Sequence, residues 1–448
     1  MIDVVVVGAG LAGLAAARRL HEAGLEVQVL EASDQVGGRT VAAEVAGAIV
    51  DLGGTFVGPT QTRAIALADE LGLVRHDTHD TGDSLIRWRS KLRRFQGTIP
   101  SISPAALIDL GRVRLQFERL ARTVPPGRPW DAPKAARLDE TSLGQWLERI
   151  RASRATRDLM AVVTRVSWGC EPGELSLLHA LHYVNQAGGL DSMLDTAGGA
   201  QEQHFVGGSQ QLCLKMAADL GDRVRLSSPV MRLEWTADGV VAHSPSGATA
   251  ARRAVVAVPP ASRPRVGFVP PLPHDQRVMS QRWSPGVLSK AYAVYERPFW
   301  REDGLSGEGL SDTGPCFITF DASPPDGSRG VLLGFIGGTY AREWDVLTDE
   351  ERRQRALASF ADLFGPAALE PIGYRDQRWA TEEWIGGGPV AAPGPGAVLD
   401  YHRSLTEPVG PIHWAGSETA ERWAGFMDGA ISSGERAAAE VLSTLGTP

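Results

Sequence analysis

At 448 residues the chain exceeds the size at which a single hydrophobic core keeps growing, so two domains are expected, and its 43% hydrophobic content is ordinary for a soluble protein. A net charge of −8 at pH 7 gives no electrostatic footprint for DNA or RNA, which removes nucleic acid from the expected partners. The three cysteines, Cys170, Cys213 and Cys316, are odd in number, far apart and without C-x-x-C or histidine spacing, so neither a disulfide framework nor a metal site is expected and a reducing cytoplasm fits.

The chain opens with "DVVVVGAGLAGLAAARRLHEAGLEVQVLE". Val4 to Val7 lack polar alternation and read as a strand buried on both faces of a parallel sheet. Gly8, Gly10 and Gly13 then form G-x-G-x-x-G, followed by a helix over Leu11–Ala23 that stops at Gly24. The first glycine permits a tight turn, the second lets the backbone approach a diphosphate, and the third lets the helix sit close to the strand, with its amides forming an anion site. A second strand, Leu25–Leu30, ends in Glu31, an acid 18 positions after Gly13, near the spacing at which a carboxylate accepts bonds from a ribose diol. That disfavours a 2′-phosphorylated nucleotide. The longest apolar run, Val4 to Ala17, is too short to span a bilayer, is rich in glycine and has no basic leader, so a soluble protein without a membrane partner is expected.

In "IRWRSKLRRF", Arg87, Arg89, Lys91 and Arg93 alternate with apolar residues, which reads as one strand with a solvated face; a docking patch for an acidic partner is the alternative. Residues 100–155 carry Pro100, Pro104, Pro125, Pro126, Pro129 and Pro133 and resemble a partly helical insertion, in which Ser142 and Gln145 can form a capping box. His179 and His182 read as polar positions of a helix. From Arg223, "RVRLSSPVMRLEW", "GVVAHS" and "AVVAVP" read as short strands, and "VLSKAYAVY" and "GVLLGFIG" as longer ones. A nucleotide domain interrupted in this way is not the pattern of a contiguous dehydrogenase and suggests a flavoprotein.

Three further stretches, "EASDQVGGRT", "VDLGGTFVGPTQTR" and "GPIHWAGSETAERWAGFMDGAISSGERAAAEVL", resemble the flavin-containing monoamine oxidase family, and "RPWDAP", "HYVNQAGG", "HFVGGSQQL", "RWSPGVLSKAYAVYERPFW" and "RWATEEW" extend the resemblance in order over nearly the whole chain. It implies an α/β fold with a discontinuous Rossmann-like FAD-binding domain from residues 1–75, 206–280 and 381–448, and an inserted α+β substrate domain from 76–205 and 281–380. It implies FAD contacts at Gly8, Gly10, Leu11, Ala12, Gly13, Glu31, Ala32, Gly37, Gly38, Arg39, Gly53, Gly54, Thr55, Val230, Gly416, Glu418, Gly425 and Met427. Without the resemblance, Glu418 reads as a helix-start carboxylate. The final helix, beginning near Gly425-Phe426-Met427, would aim its amides at the pyrimidine end of the ring, where reduction leaves negative charge.

By the same resemblance Lys290 holds a water against flavin N5 and assists reoxidation by dioxygen, where the residue alone reads equally as an edge-strand gatekeeper. Trp379 matches a tryptophan packed near the flavin. The cysteine that binds flavin covalently in many relatives falls at Gly388, so FAD is expected to be non-covalent. The family's two cage tyrosines fall at Pro389 and Phe426. Val166, Ser167, Leu194, Gln201 and Ile318, with Pro389, are expected around a mostly apolar substrate cavity suited to an apolar or aromatic amine. The implied reaction is oxidation of the amine to an imine with dioxygen as acceptor and hydrogen peroxide as product. A polyamine or cyclic amine as substrate, carbon–carbon desaturation, and an FAD-stabilised interaction module are the alternatives; a homodimer is left open.

Overall fold

Four consecutive valines can be satisfied only between two layers, and that is where they sit. The computed structural model describes residues 1–97 and 102–446; in it β1 (Ile2–Val7) is interior to its sheet, with Val4, Val5 and Val6 fully buried. Helix α1 (Leu11–Glu22) follows the glycine turn and is closed by Gly24 at φ +83°, the left-handed conformation a glycine adopts without strain. The next strand, β2 (Val27–Leu30), begins two residues later than the sequence pattern predicts and pairs in parallel with β1, Val4 opposite Val27 and Val7 opposite Leu30. On its other side β1 pairs in parallel with β3 (Gly247–Val256), Val7 opposite Val256. Segments Val224–Arg225, Arg232–Trp235, Val240–Ser244, Gly267–Val269 and Ile412–Trp414 complete this eight-stranded sheet, which is therefore assembled from widely separated parts of the chain.

A second, seven-stranded sheet runs in the order β6 (Gly373–Arg378), β4 (Leu288–Tyr295), β5 (Gly330–Gly337), Ile318–Asp321, Leu305–Ser311, Asp83–Trp88 and Lys91–Phe95. All eight residues of β4 are buried, and the strand is paired on both sides, so that Lys290 stands opposite Phe335 on β5 and Gln377 on β6. A strand covered on both edges needs no gatekeeper, which removes that reading of Lys290. A small sheet of Phe56–Val57, Gln203–Phe205 and Arg75–Asp77 lies beside the large ones.

The helical insertion contains Pro104–Ala121, capped by Ser103, and Leu143–Arg149, where Ser142 and Gln145 form the expected capping box. Pro100 lies outside the described residues. Two expectations are corrected here. The stretch "IRWRSKLRRF" is a hairpin, Asp83–Trp88 and Lys91–Phe95, turning at Arg89 and Ser90 with φ of 49° and 65°. Positive φ at both central residues is what a two-residue hairpin turn of type I′ demands, and the alternation of period two persists because both arms have it. His179 and His182 are not solvated helix positions: they are 7% and 3% exposed, because Leu177–Gln186 is enclosed by the helical core around Trp283.

The last helix, α2 (Met427–Leu445), packs against α1 at very short range. A Cβ on Gly434 would lie 2.2 Å from the Ala12 carbonyl oxygen, so a glycine is what lets the two helices touch. Among the described residues no helix is long and apolar enough to cross a membrane, and no group of His, Cys, Asp or Glu is placed to hold a metal ion.

Candidate active site

A cavity of about 340 Å³ is lined by the turn after β1, the end of β3, the start of α2 and the inner residues of β4 and β5. At the β1–α1 turn, Gly13 is buried beneath the wall: a Cβ there would lie 2.0 Å from the Gly8 carbonyl oxygen. The helix can approach the strand only because that atom is missing. Gly10 bridges Gly37 in parallel and both face the cavity. Helix α1 starts at Gly10 without a side-chain cap, so its first amides are left for a ligand, and α2 likewise starts at Phe426 without one. Glu31 is held by the N–H groups of Ala9 (2.5 Å) and Ser33 (2.8 Å) at the cavity edge.

Arg39 spans the cavity floor. Its guanidinium donates to both carboxylate oxygens of Glu418, at 2.6 and 2.8 Å, and to the Pro389 carbonyl at 2.9 Å. Burial pushes the Glu418 carboxyl up, but Arg39 outweighs it and the group ends below the usual carboxylate range. The pair therefore stabilises the fold above the ordinary glutamate pKa, and that stability is lost as pH falls through the lowered folded value. It also ties the "WIGGGPV" turn to the glycine-rich segment before Arg39.

Lys290 is 4% exposed and reaches the same cavity from β4. Its Nζ donates to the carbonyls of Asp51 (3.1 Å) and Gly53 and to Thr55 Oγ1, and lies 3.4 Å from the Tyr292 hydroxyl and 5.2 Å from the centre of the Phe335 ring. Three ammonium protons thus meet four protein oxygens, and a water held by Lys290 would have to replace one of them. On the other side of the same loop, the Trp379 indole N–H donates to Leu52 O at 2.9 Å, and its ring would touch a Cβ on Gly53 at 3.0 Å. Residues 51–55 are therefore clamped between Lys290 and Trp379.

Beyond Lys290 the wall is made by Val166, Ser167, Leu194, Gln201, Ile318, Pro389 and Phe426. Gln201 donates to Met193 O at 3.2 Å, while its Oε1 is buried without a hydrogen-bond partner. Phe426 packs edge-on against Trp423 (4.8 Å between centres) and beside Tyr183 (6.0 Å). All the residues expected from the sequence line the cavity except Gly13 and Glu418, which sit one layer behind it. Tyr183, Met193, Phe335, Arg265 and Trp384 also line it and were missed, although Tyr183 stands inside the quoted "HYVNQAGG". Gly388 faces Trp379, whose side chain would lie 3.6 Å from a Cβ there.

Two uncapped helix starts, a glycine turn closed to any side chain, and a carboxylate beside it suit a dinucleotide whose diphosphate and ring system lie along one channel. The chain belongs to the family of flavin-containing amine oxidoreductases, whose model matches residues 11–442. Among its relatives it is 52% identical to the protein carried under the name flavin-containing monoamine oxidase AofH in Mycobacterium tuberculosis, over 99% of this chain and 97% of that one. It is 36% identical to human flavin-containing amine oxidase B, over 99% and 86% of the two chains. Among solved structures, putrescine oxidase bound to putrescine superposes with a TM-score of 0.95 at 35% identity, and cyclohexylamine oxidase from Brevibacterium oxydans IH-35A with 0.95 at 33%, each covering 99% of both chains. The fold is the two-domain α/β fold of FAD amine oxidases, and the protein is an FAD-dependent amine oxidase.

Proposed function

We propose that the protein oxidises a neutral apolar or aryl-alkyl amine at non-covalently held FAD, giving an imine that hydrolyses to an aldehyde or ketone, with dioxygen reduced to hydrogen peroxide. The observation that carries this reading is the wall beyond Lys290. It is mostly apolar, and among the described lining residues the one carboxylate is Glu31, tied to the β1–α1 turn. An ammonium buried without a carboxylate costs several kcal/mol, on the order of 2–7 even for a merely polar group, so the amine enters its reactive pose uncharged. An aliphatic diamine would carry a second charge onto the same wall. Cyclohexylamine oxidase acts by its name on an apolar amine, the kind of substrate this wall suits; the putrescine oxidase substrate suits it less.

In this reading Gly8, Gly10, Leu11 and Ala12 take the FAD diphosphate on the α1 amides, Glu31 and Ala32 the adenosine ribose, and Val230 the adenine. Gly37, Gly38, Arg39, Gly53, Gly54, Thr55, Gly416, Gly425 and Met427 follow the cofactor toward the ring. When bound, FAD supplies the two-electron acceptor for the amine and the reductant for dioxygen. With the cofactor bound, the α2 amides would stabilise negative charge on its reduced form, Lys290 would set a positive charge beside the reacting dioxygen, and Trp379 with Phe426 would confine the amine. The sheets support the domain division proposed from the sequence: the strands of the first fall within 1–75, 206–280 and 381–448, those of the second within 76–205 and 281–380, and the small sheet straddles the junction.

A peroxide-coupled screen of amines with the purified yellow protein tests the reading. Aryl-alkyl and cyclic amines are expected to give peroxide and putrescine-like diamines to be poorer. Diamines as best substrates, or no peroxide with any amine, would overturn it.

A further inference from the structure

Lys290 has no anion in contact with it. Its hydrogen-bond partners are two carbonyls and two hydroxyls, all neutral, and its ring neighbours Phe335 and Tyr292 are uncharged. An ammonium this deep needs a counter-ion to persist. The titratable groups that face it are Tyr292 on its own strand, whose phenol burial drives well above its usual pKa; His204 on the small sheet, pushed down to about 3 by burial and by the charges of His76 and Lys290; and Asp51, at the end of the strand Ala48–Asp51. Tyr292 and His204 are therefore neutral, which leaves Asp51.

Asp51 does not line the cavity. It is 7% exposed, and its Oδ1 accepts from the Ser209 N–H at 2.8 Å and the Ser209 hydroxyl at 3.1 Å. Its own backbone carbonyl accepts from both Lys290 Nζ and the Tyr292 hydroxyl. One residue thus fixes the lysine by its carbonyl and carries a buried carboxylate that Ser209 orients, outside ion-pair contact with Nζ but on the same residue that holds it. We infer that the Asp51 carboxylate is the buried counter-ion that keeps Lys290 an ammonium at the cavity wall, making Asp51 a positioning residue that sets the pH range in which Lys290 carries its charge. The pair works in opposed directions: burial lowers the lysine and Asp51 draws it back up, while burial raises the aspartic acid and Ser209 and Lys290 draw it down. The inference rests on Lys290 acting through its charge, but it is tested on that charge and not on turnover.

The sequence makes the measurement direct, since Lys91, Lys134, Lys215 and Lys290 are the only lysines among 448 residues. Holoenzyme labelled with 13C at lysine Cε gives four side-chain signals, and the one missing in Lys290→Met belongs to Lys290. In Asp51→Asn, which keeps an oxygen for Ser209 but removes the charge, that signal is expected to pass from ammonium to amine about one pH unit or more below the wild-type midpoint. An unchanged midpoint overturns the inference, whatever Lys290→Met does to the oxygen reaction; a shifted midpoint with normal reoxidation in Lys290→Met would instead remove the role proposed for the lysine.

If Asp51→Asn does not fold, Lys290→Met tests the same pair from the other side. Asp51 then keeps its proton to higher pH in the folded state than in the unfolded one, so the melting temperature of Lys290→Met should fall relative to wild type between about pH 6 and 8. Parallel pH profiles for the two proteins overturn the inference.

Discussion

Replacing Gly13 by alanine tests whether the glycine spacing works as the fold suggests. The new Cβ would sit 2.0 Å from the Gly8 carbonyl oxygen, 3.1 Å from its carbon and 3.3 Å from the Ala257 Cβ. The first two are backbone atoms of the turn itself, so relief requires α1 to retreat from β1 by about 1 Å, at an overpacking cost of about 1–3 kcal/mol. The retreat carries the amides of Leu11 and Ala12 away from the channel. A hydrogen bond to a charged group contributes about 1.5–3 kcal/mol, so losing one weakens FAD binding about 10- to 150-fold. Titration of the flavin-stripped protein with FAD, followed by flavin fluorescence, measures the change. Gly111→Ala is the control: it lies in the helix Pro104–Ala121 with nothing within 4 Å of its Cβ, and should leave FAD affinity alone while stabilising the fold by about 0.5–1 kcal/mol. If Gly13→Ala binds FAD as tightly as wild type, the close approach of α1 is not what forms the diphosphate site.

Acid precipitation is expected to release all the flavin, because Gly388 stands where a linking cysteine would and none of the three cysteines lines the cavity; flavin retained on the washed pellet contradicts this. Lys290→Met should slow reoxidation of the reduced enzyme by roughly 10²–10³ while sparing flavin reduction, since it removes a charge placed where negative charge develops. Stopped-flow traces separate the two half-reactions, and an unchanged reoxidation rate refutes the assignment. Flavin reduction at subsaturating amine should rise with pH toward the amine's own pKa, because only the neutral form suits the apolar wall; a rate flat between about pH 6 and 10 points to an unplaced acid. Phe426→Tyr should alter turnover of primary amines more than FAD affinity, which parallel kinetics and FAD titration will show.

The strand, glycine turn and helix at one end of the cavity were legible because their signals are local: valines, three glycines and a terminal acid specify them within a few residues of one another. The hairpin at Arg89–Ser90 was not, since both of its arms alternate with the same period and the turn contains no glycine to mark it. His179 and His182 were misplaced because their burial comes from Trp283 and His402, residues distant in the chain that close over an otherwise amphipathic helix. Lys290 could be singled out from its apolar strand, but its partners on residues 51–55 belong to another sheet. Asp51 carries no local mark at all, because its significance lies in a bond to a lysine on a distant strand. The cavity wall was reached through resemblance, motif by motif, and Tyr183 escaped because its neighbours in sequence are ordinary core residues.

The contact between α1 and α2 through Gly434 has a consequence for how long the protein survives in a cell. Gly434, well inside α2, meets Ala12 in the first turn of α1, so the uncapped starts of the two helices reach the cavity wall at separate points, and an anionic ligand lying along the cavity engages both. A bound FAD that satisfied both starts would stabilise the folded state further with each increment above its dissociation constant, by about 2.7 kcal/mol at a hundredfold excess. Flavin supply would thereby act on abundance. Chains that lack FAD are expected to be cleaved faster by an added protease than the holoenzyme, and equal cleavage rates would show that the cofactor does not hold this helix pair closed.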